Sequence, residues 1–334
     1  MEIIYTKPGD LNFHCFEEVQ HRIFQENSPG YHQSESIPSH LLDTAIVVLE
    51  NNIPLARLCI YHNPSLVYQE QKAAAIGNYA CSDHKELSAL LFSSAIDRIR
   101  KTENRFVIGP MNGSTWNNYR FSLHHGHPPF LLEPWNPLYY NEQFESAGFR
   151  IISRYYSDRD ETIPCDHPAI MQREEELLKT GVIIRPVNME DYEGELRLLH
   201  PFLSLAFQTN FLYTPIALEP FIRKYKEAAP LIQPEYVRIA ENKDGNLIGF
   251  LFCYDDVLNK AQKNLVVKTI ARHPAPEWKG LGHVMANQVI RIAKQKRYHS
   301  LIHAFMIEGA TSAEASRDFN GKPYQNYALY GKQL

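Results

Sequence analysis

Two glycines one residue apart, Gly280 and Gly282, stand between an apolar run and an amphipathic segment in KTIARHPAPEWKGLGHVMA, Lys268 to Ala286. The chemistry of that spacing is anion binding. Glycines carry no β-carbon to hold phosphate oxygens away from backbone N–H groups, and a helix beginning there aims the positive end of its dipole at the same place. A pyrophosphate suits such a cradle. Lys279 adds a charge, and Leu281 and His283 complete the turn into the helix as further binding candidates.

Other reactive residue types are less organised. Asn112, Ser114, Trp116, Asn117 and Tyr119, then Glu133, Trp135, Asn136, Tyr139 and Tyr140, would suit a pocket for a polar ligand. The other reading makes them turn-rich connectors whose aromatics pack on the core. His124, His125 and His127 share a loop with Gly and Pro and have no carboxylate at i+3 or i+4, so no metal site is assigned. The five cysteines, Cys15, Cys59, Cys81, Cys165 and Cys253, are widely spaced and form no CxxC pair, which reads as buried free thiols. A net charge of -4 offers no global attraction to nucleic acid or to an anionic membrane. MEIIYTKPGD lacks a basic segment followed by an apolar run, and no stretch nears the ~18 apolar residues of a membrane span; the expectation is a cytoplasmic protein with no membrane partner.

The elements that must position the glycine loop occur twice. TAIVVLENNIPLARLCIY, Thr44 to Tyr61, reads as a hairpin around Glu50, Asn51 and Asn52; YVRIAENKDGNLIGFLFCY, Tyr236 to Tyr254, reads as a second one turning at Asp244 and Gly245. Helical stretches precede each hairpin: Leu11 to Gln25 in the first half, Met189 to Leu203 and Leu218 to Ala228 in the second. A strand, a helix and another strand follow each. They are Ala73 to Tyr79, Leu87 to Arg100 and Arg105 to Ile108 in the first half, and Leu265 to Ala271, Leu281 to Lys296 and Ser300 to Phe305 in the second. A chain of 334 residues with 44% hydrophobic and 22% charged residues has room for about two domains of ~150 residues, so the repeated order reads as a duplicated α/β unit. The boundary is placed near Cys165, in a stretch rich in charge and proline: residues 1–165, a linker helix over 166–180, and residues 181–334. The linker run Arg173, Glu174, Glu175, Glu176 reads as a solvated face.

The loop, with the hairpin ENKDGNLIGF before it, resembles the GCN5-related N-acetyltransferase superfamily, whose pyrophosphate loop reads Arg or Gln, two residues, Gly, one residue, then Gly or Ala. Gly280 and Gly282 match the glycines. Glu277 departs from the leading position and brings a carboxylate toward the phosphates, with Lys279 to offset it. The first-half counterpart, CSDHKE from Cys81 to Glu86, has no glycine and two acids; FESAGF, Phe144 to Phe149, resembles the common ending YEKLGF with Phe144 in place of the tyrosine. The resemblance implies an α/β (α+β) fold class: two such domains, each a mixed, mostly antiparallel sheet flanked by helices. The first copy would be degenerate and without a CoA site, and the second would take acetyl-CoA or another acyl-CoA as cosubstrate.

The chemistry so implied is direct attack of an amine on the thioester, with backbone amides at Thr269, Ile270 and Ala271 polarising the carbonyl. SAEASRDF, Ser312 to Phe319, lacks the helix tyrosine that often serves as acid, which leaves Tyr327 or Tyr330 in NYALYGKQL. His303 and Glu308 are the candidate bases, His303 reading equally as a core histidine. The acceptor is expected to be a small-molecule or peptide amine near an interdomain cleft. Two alternatives stay open: an aminoacyl transferase resembling the FemABX family, and a non-catalytic protein that binds CoA or another ligand.

Overall fold

Residues 1–24, 37–309, 316 and 319–334 are described in the computed structural model. The chain divides into two compact units, the first Met1–Arg154 with Phe211–Thr214 and Gln325–Leu334, the second Tyr155–Asn210 with Pro215–Tyr324.

The first unit runs β1 (Glu2–Thr6), α1 (Phe13–Ile23), β2 (Leu42–Glu50), β3 (Ile53–Tyr61), β4 (Val67–Tyr68), β5 (Gln71–Cys81), α2 (Lys85–Ile99), β6 (Phe106–Gly109), β7 (Phe121–Ser122), α3 (Tyr139–Ser146) and the start of β8 (Arg150–Asp160). Strands β1, β2, β3 and β5 pair antiparallel in that order, and β5 then pairs parallel with β6. Asn51 and Asn52 turn the first hairpin at φ 52° and 63°, the left-handed pair that a two-residue turn needs and that asparagine tolerates. Helix α2 covers the sheet because Leu87, Leu91, Ala95 and Ile99 recur every fourth residue on its buried face.

The second unit repeats this plan with α4 (Pro168–Lys179), β9 (Ile183–Pro186), α5 (Tyr192–Phe207), α6 (Leu218–Glu227), β10 (Val237–Glu241), β11 (Leu247–Asp255), β12 (Asn264–Arg272), α7 (Leu281–Gln295), β13 (Ser300–Ile307) and the start of β14 (Lys322–Gln333). Strands β9, β10, β11 and β12 pair antiparallel and β12 pairs parallel with β13. The second hairpin turns at Gly245, φ +79°, with the Asn242 carboxamide oxygen accepting from the N–H groups of Asp244 and Asn246. Helix α7 buries Leu281, Val284, Met285, Val289, Ile290 and Ala293 against this sheet, and each of the side chains larger than alanine, fully removed from water, contributes about 1.5–3 kcal/mol. Gly249 on β11 makes the approach possible: a β-carbon there would lie 2.9 Å from both Leu281 Cδ2 and Met285 Cε.

The closing strand of each unit comes from the other half of the chain. Beside β13 lies β8, with His303 opposite Asp158, and beside β6 lies β14, with Tyr330 opposite Gly109. The units therefore differ from the expected division at Cys165: residues 155–165 belong to the second unit and Gln325–Leu334 to the first. Helix α4 is not a solvated linker either. Glu174 is buried and accepts from Arg291 and Gln288 of α7, so α4 packs as part of the second unit. Of the five free cysteines, Cys59, Cys81 and Cys253 are buried, while Cys15 and Cys165 are half-buried. Among the described residues no helix is long and apolar enough to cross a membrane.

Candidate functional site

After β12 the chain makes a single 3-10 turn, Pro276–Trp278, and reaches Gly280, which caps α7 in the left-handed region at φ +87°. The N–H groups of Trp278 and Lys279 close the turn onto Ala275 O and Pro276 O. The first bond inside α7 is Val284 N–H to Gly280 O at 3.1 Å, so the amides of Leu281 and Gly282 have no acceptor within the helix. They are the donors a phosphate would use. Arg173 of α4 donates to the carbonyls of Lys279, at 2.9 Å, and of Glu277, fixing the acceptors of the loop on the α4 side. Both glycines also have packing reasons. A β-carbon on Gly280 would lie 3.1 Å from Arg173 Cγ, and one on Gly282 would lie 2.9 Å from Ile270 Cγ2. Lys279 and Glu277 are both exposed.

Next to this helix start the sheet opens. Strands β12 and β13 pair only from Asn264↔Ser300 to Val267↔His303. A bulge follows at once, because Phe252 and Cys253 on β11 face Thr269 and Val267 and leave Lys268 as the extra residue. An extra residue bends a strand, and here it carries β12 away from β13. Thr269, Ile270 and Ala271 lie beyond the bulge and, among the described residues, pair as strand with β11 alone.

The first unit makes the same bulge and then fills the notch. Strands β5 and β6 pair from Ala73↔Phe106 to Ala75↔Ile108, and β5 shifts register soon afterwards, with Asn78 at φ 47°. Met111 N–H donates to Ile76 O at 2.7 Å, and the Asn112 side chain accepts from Asn78 N–H at 2.8 Å. A β-carbon on Gly77 would come within 2.5 Å of Asn112 Oδ1 and Met111 O. Before α2, the Tyr140 hydroxyl accepts from Cys81 N–H, and Tyr139 and Gln143 donate to the carbonyls of Cys81 and Ser82. Residues 110–112 thus take up the backbone groups of β5 at this notch.

His303 is the last residue of β13 to face β12. Its Nδ1 lies 2.8 Å from Ser316 Oγ, which donates to Asp158 Oδ2 at 2.7 Å. Burial lowers the proton affinity of the ring, while Asp160 and Asp158 act in the opposite direction. Phe319 lies beside it, 6.3 Å between ring centroids, and stacks on His283 at 5.7 Å. Glu308 is exposed in the turn after β13, and of the segment Ser312 to Phe319 only Ser316 and Phe319 fall within the described residues.

Tyr327 and Tyr330 are placed elsewhere. Both sit in the part of β14 that belongs to the first unit, both are fully buried, and their hydroxyls donate to Glu133 and Asn141 at 2.8 Å. Burial pushes the Tyr330 hydroxyl upward, which makes it a poorer acid. The expectation that either closes the second copy as its acid is corrected by the strand exchange, which carries both into the other core. Asn117, Glu133 and Asn136 hydrogen-bond within their own connectors, for example Ser122 N–H to Asn136 Oδ1 at 2.8 Å, while Trp116 Nε1 donates to the distant Thr214 O at 2.8 Å. Among the described residues no group of His, Cys, Asp and Glu is arranged to hold a metal; His125 stacks on Trp135 at 5.0 Å. Sequence reasoning passed over Arg173, Asp158 and Ser316. Nothing local marked any of the three.

A scan against protein-family models gives no match. A curated relative, a bacterial ceramide synthase of Caulobacter vibrioides, is 30% identical over 143 residues, 42% of this chain and 36% of the relative. The chain thus spans about a third of that relative's length. Among solved structures, the GCN5-related glucosamine N-acetyltransferase region of a fungal multi-domain GH3 β-N-acetylglucosaminidase superposes with a TM-score of 0.57 at 13% identity, covering 99% of this chain and 38% of that one. A tandem GNAT protein from the clavulanic acid biosynthesis pathway superposes with a TM-score of 0.54 at 11% identity, covering 99% of this chain and 98% of that one. The chain has the tandem GCN5-related N-acetyltransferase fold, a mixed, mostly antiparallel α/β architecture.

Proposed function

We propose that this protein is an acyl-CoA-dependent N-acyltransferase whose acyl-CoA site lies in the second unit. One observation carries the reading: the bulge at Lys268 opens β12 from β13 beside the start of α7, with no strand of the described residues pairing there, whereas residues 110–112 fill the matching notch in the first unit. In this reading the amides of Leu281, Gly282 and His283, with Gly280 turning the chain and Lys279 adding charge, hold the pyrophosphate. Backbone at Thr269, Ile270 and Ala271 polarises the thioester carbonyl. The amine nitrogen attacks the carbonyl carbon, the C–S bond breaks, His303 accepts the proton lost by the nitrogen, and the CoA thiolate leaves to be protonated. Glu308 is the second candidate base.

The acyl group is acetyl or longer, and the acceptor is a small-molecule or peptide amine. Ceramide is an N-acylated long-chain amino alcohol, so similarity to a ceramide synthase over 143 residues makes a long-chain acyl-CoA with such an acceptor the second pair to assay. Calorimetric titration with acetyl-CoA and with a long-chain acyl-CoA tests the reading, beside Gly280→Glu, which sets a carboxylate in the cradle. Binding by the wild type and its loss in the variant are expected. Failure of the wild type to bind either compound would sink the proposal, and thiol release across an amine panel separates turnover from binding alone.

A further inference from the structure

His303 is reached by two buried groups from distant parts of the chain. Ser316 contacts its Nδ1 at 2.8 Å and Asp158 at 2.7 Å, and the three residues are only 7% (His303), 3% (Ser316) and 4% (Asp158) exposed. A serine hydroxyl has one hydrogen, and a carboxylate only accepts. With the Ser316 hydrogen directed to Asp158, the contact to the ring needs a hydrogen on Nδ1, and Nε2 keeps its lone pair.

We propose that Asp158 and Ser316 are positioning residues that hold His303 in the Nδ1–H tautomer and so leave Nε2 as the proton acceptor for amine attack. The proposal rests on the reading of His303 as the base of the second unit. The surroundings fit it. Gly321 packs directly on the relay, where a β-carbon would lie 2.2 Å from Ser316 Oγ and 2.9 Å from Asp158 Cβ, so the chain backs the serine and the aspartate without a side chain. Asp160, two residues along the same strand, is the other carboxylate acting on His303, and its Oδ1 accepts from the backbone of Thr162 and Ile163. From β12 the register partner is the uncharged Val267, and Phe319 lies next to both His303 and His283 of α7. Burial keeps the imidazole neutral, the form in which the tautomer matters. When Nε2 takes the proton of the amine, the imidazolium retains its Nδ1 hydrogen bond, and the Asp158 carboxylate balances the new charge across Ser316.

The test is the 15N spectrum of His303 above neutral pH in the full-length protein labelled at histidine, assigned with His303→Gln. Wild type should show a protonated Nδ1 and a bare Nε2. Asp158→Asn reverses the relay, because a carboxamide can donate to Ser316 and turn its hydroxyl toward the ring; Ser316→Ala removes the link and serves if Asp158→Asn does not fold. Both should shift the tautomer toward Nε2–H and lower kcat for thiol release on the order of 10²-fold with unchanged acyl-CoA affinity. An Nε2–H tautomer in the wild type, or a tautomer unmoved by either variant, overturns the relay. Full turnover in Ser316→Ala overturns its part in catalysis. The expected tautomer in a protein that binds no acyl-CoA leaves the relay standing and removes the transferase reading instead.

Discussion

Gly282→Ala separates a glycine kept for packing from one kept for phosphate. Residue 282 lies in the first turn of α7, where alanine is favoured over glycine by up to about 1 kcal/mol. Against this, the new β-carbon would lie 2.9 Å from Ile270 Cγ2, well inside the ~3.5–4.0 Å optimum, and overpacking costs about 1–3 kcal/mol. Ile270 is 41% exposed and its side chain has room to turn, which selects the lower part of that range. The net loss is about 0–1 kcal/mol, or a fall in Tm of up to about 4 °C for a unit of this size. The effect on binding is larger. If the β-carbon keeps phosphate oxygens from one amide, a charge-assisted bond of about 1.5–3 kcal/mol is lost, roughly 10- to 100-fold in Kd. Thermal melting and calorimetry with acetyl-CoA read the two effects separately, and the double variant with Ile270→Ala, compared with Ile270→Ala alone, decides between them. Relief of the contact should recover the stability lost through it while affinity stays low. Recovery of both would refute the cradle and leave Gly282 as a packing residue.

Arg173→Met removes the donor to the carbonyls of Lys279 and Glu277, and since the side chain is 30% exposed a loss near 1 kcal/mol and a several-fold rise in the acyl-CoA Kd are expected; unchanged values in melting and calorimetry would exclude it from positioning the loop. His303 has its proton affinity lowered by burial, so the unfolded chain protonates first: its contribution is complete above the unfolded pKa of about 6.5 and is lost as pH falls toward the folded value. Melting curves from about pH 8 to 5 should therefore fall less steeply in His303→Gln than in the wild type, and parallel slopes would contradict the assignment. Tyr327→Phe and Tyr330→Phe each break a buried hydroxyl bond and should cost about 1 kcal/mol while acyl-CoA affinity and thiol release persist. Thiol release lost at unchanged stability would return these tyrosines to the active site.

Local chemistry made much of the fold readable. Asp244 and Gly245 marked the second hairpin, the apolar spacing from Leu281 marked α7, and Gly280 and Gly282 marked a sharp turn into it. These signals act within a few residues, where dihedral preference and periodicity hold. The division of the chain was misplaced for a different reason. Ser157 to His167 is rich in charge and proline, which reads as a boundary, yet Asp158 and Asp160 are strand residues buried beside β13. Arg173 looked like part of a solvated charge run because its acceptors, the carbonyls of Glu277 and Lys279, lie more than one hundred positions away.

The sequence by itself determined that two copies of one α/β plan exist, that only the second carries the glycine turn, and that its helix start suits an anion. Tertiary structure decided which edge each closing strand joins. NYALYGKQL has the pattern of a strand, but pattern fixes the face a side chain occupies and leaves the pairing partner open, since backbone edges carry the same N–H and C=O groups everywhere. Pairing with β7 and β6 took Tyr327 and Tyr330 into the first core, and pairing of β8 with β13 set Asp158 opposite His303. A contact such as Ser316 to Asp158, spanning 158 positions, has no local signature because closing so long a loop depends on packing of the whole unit.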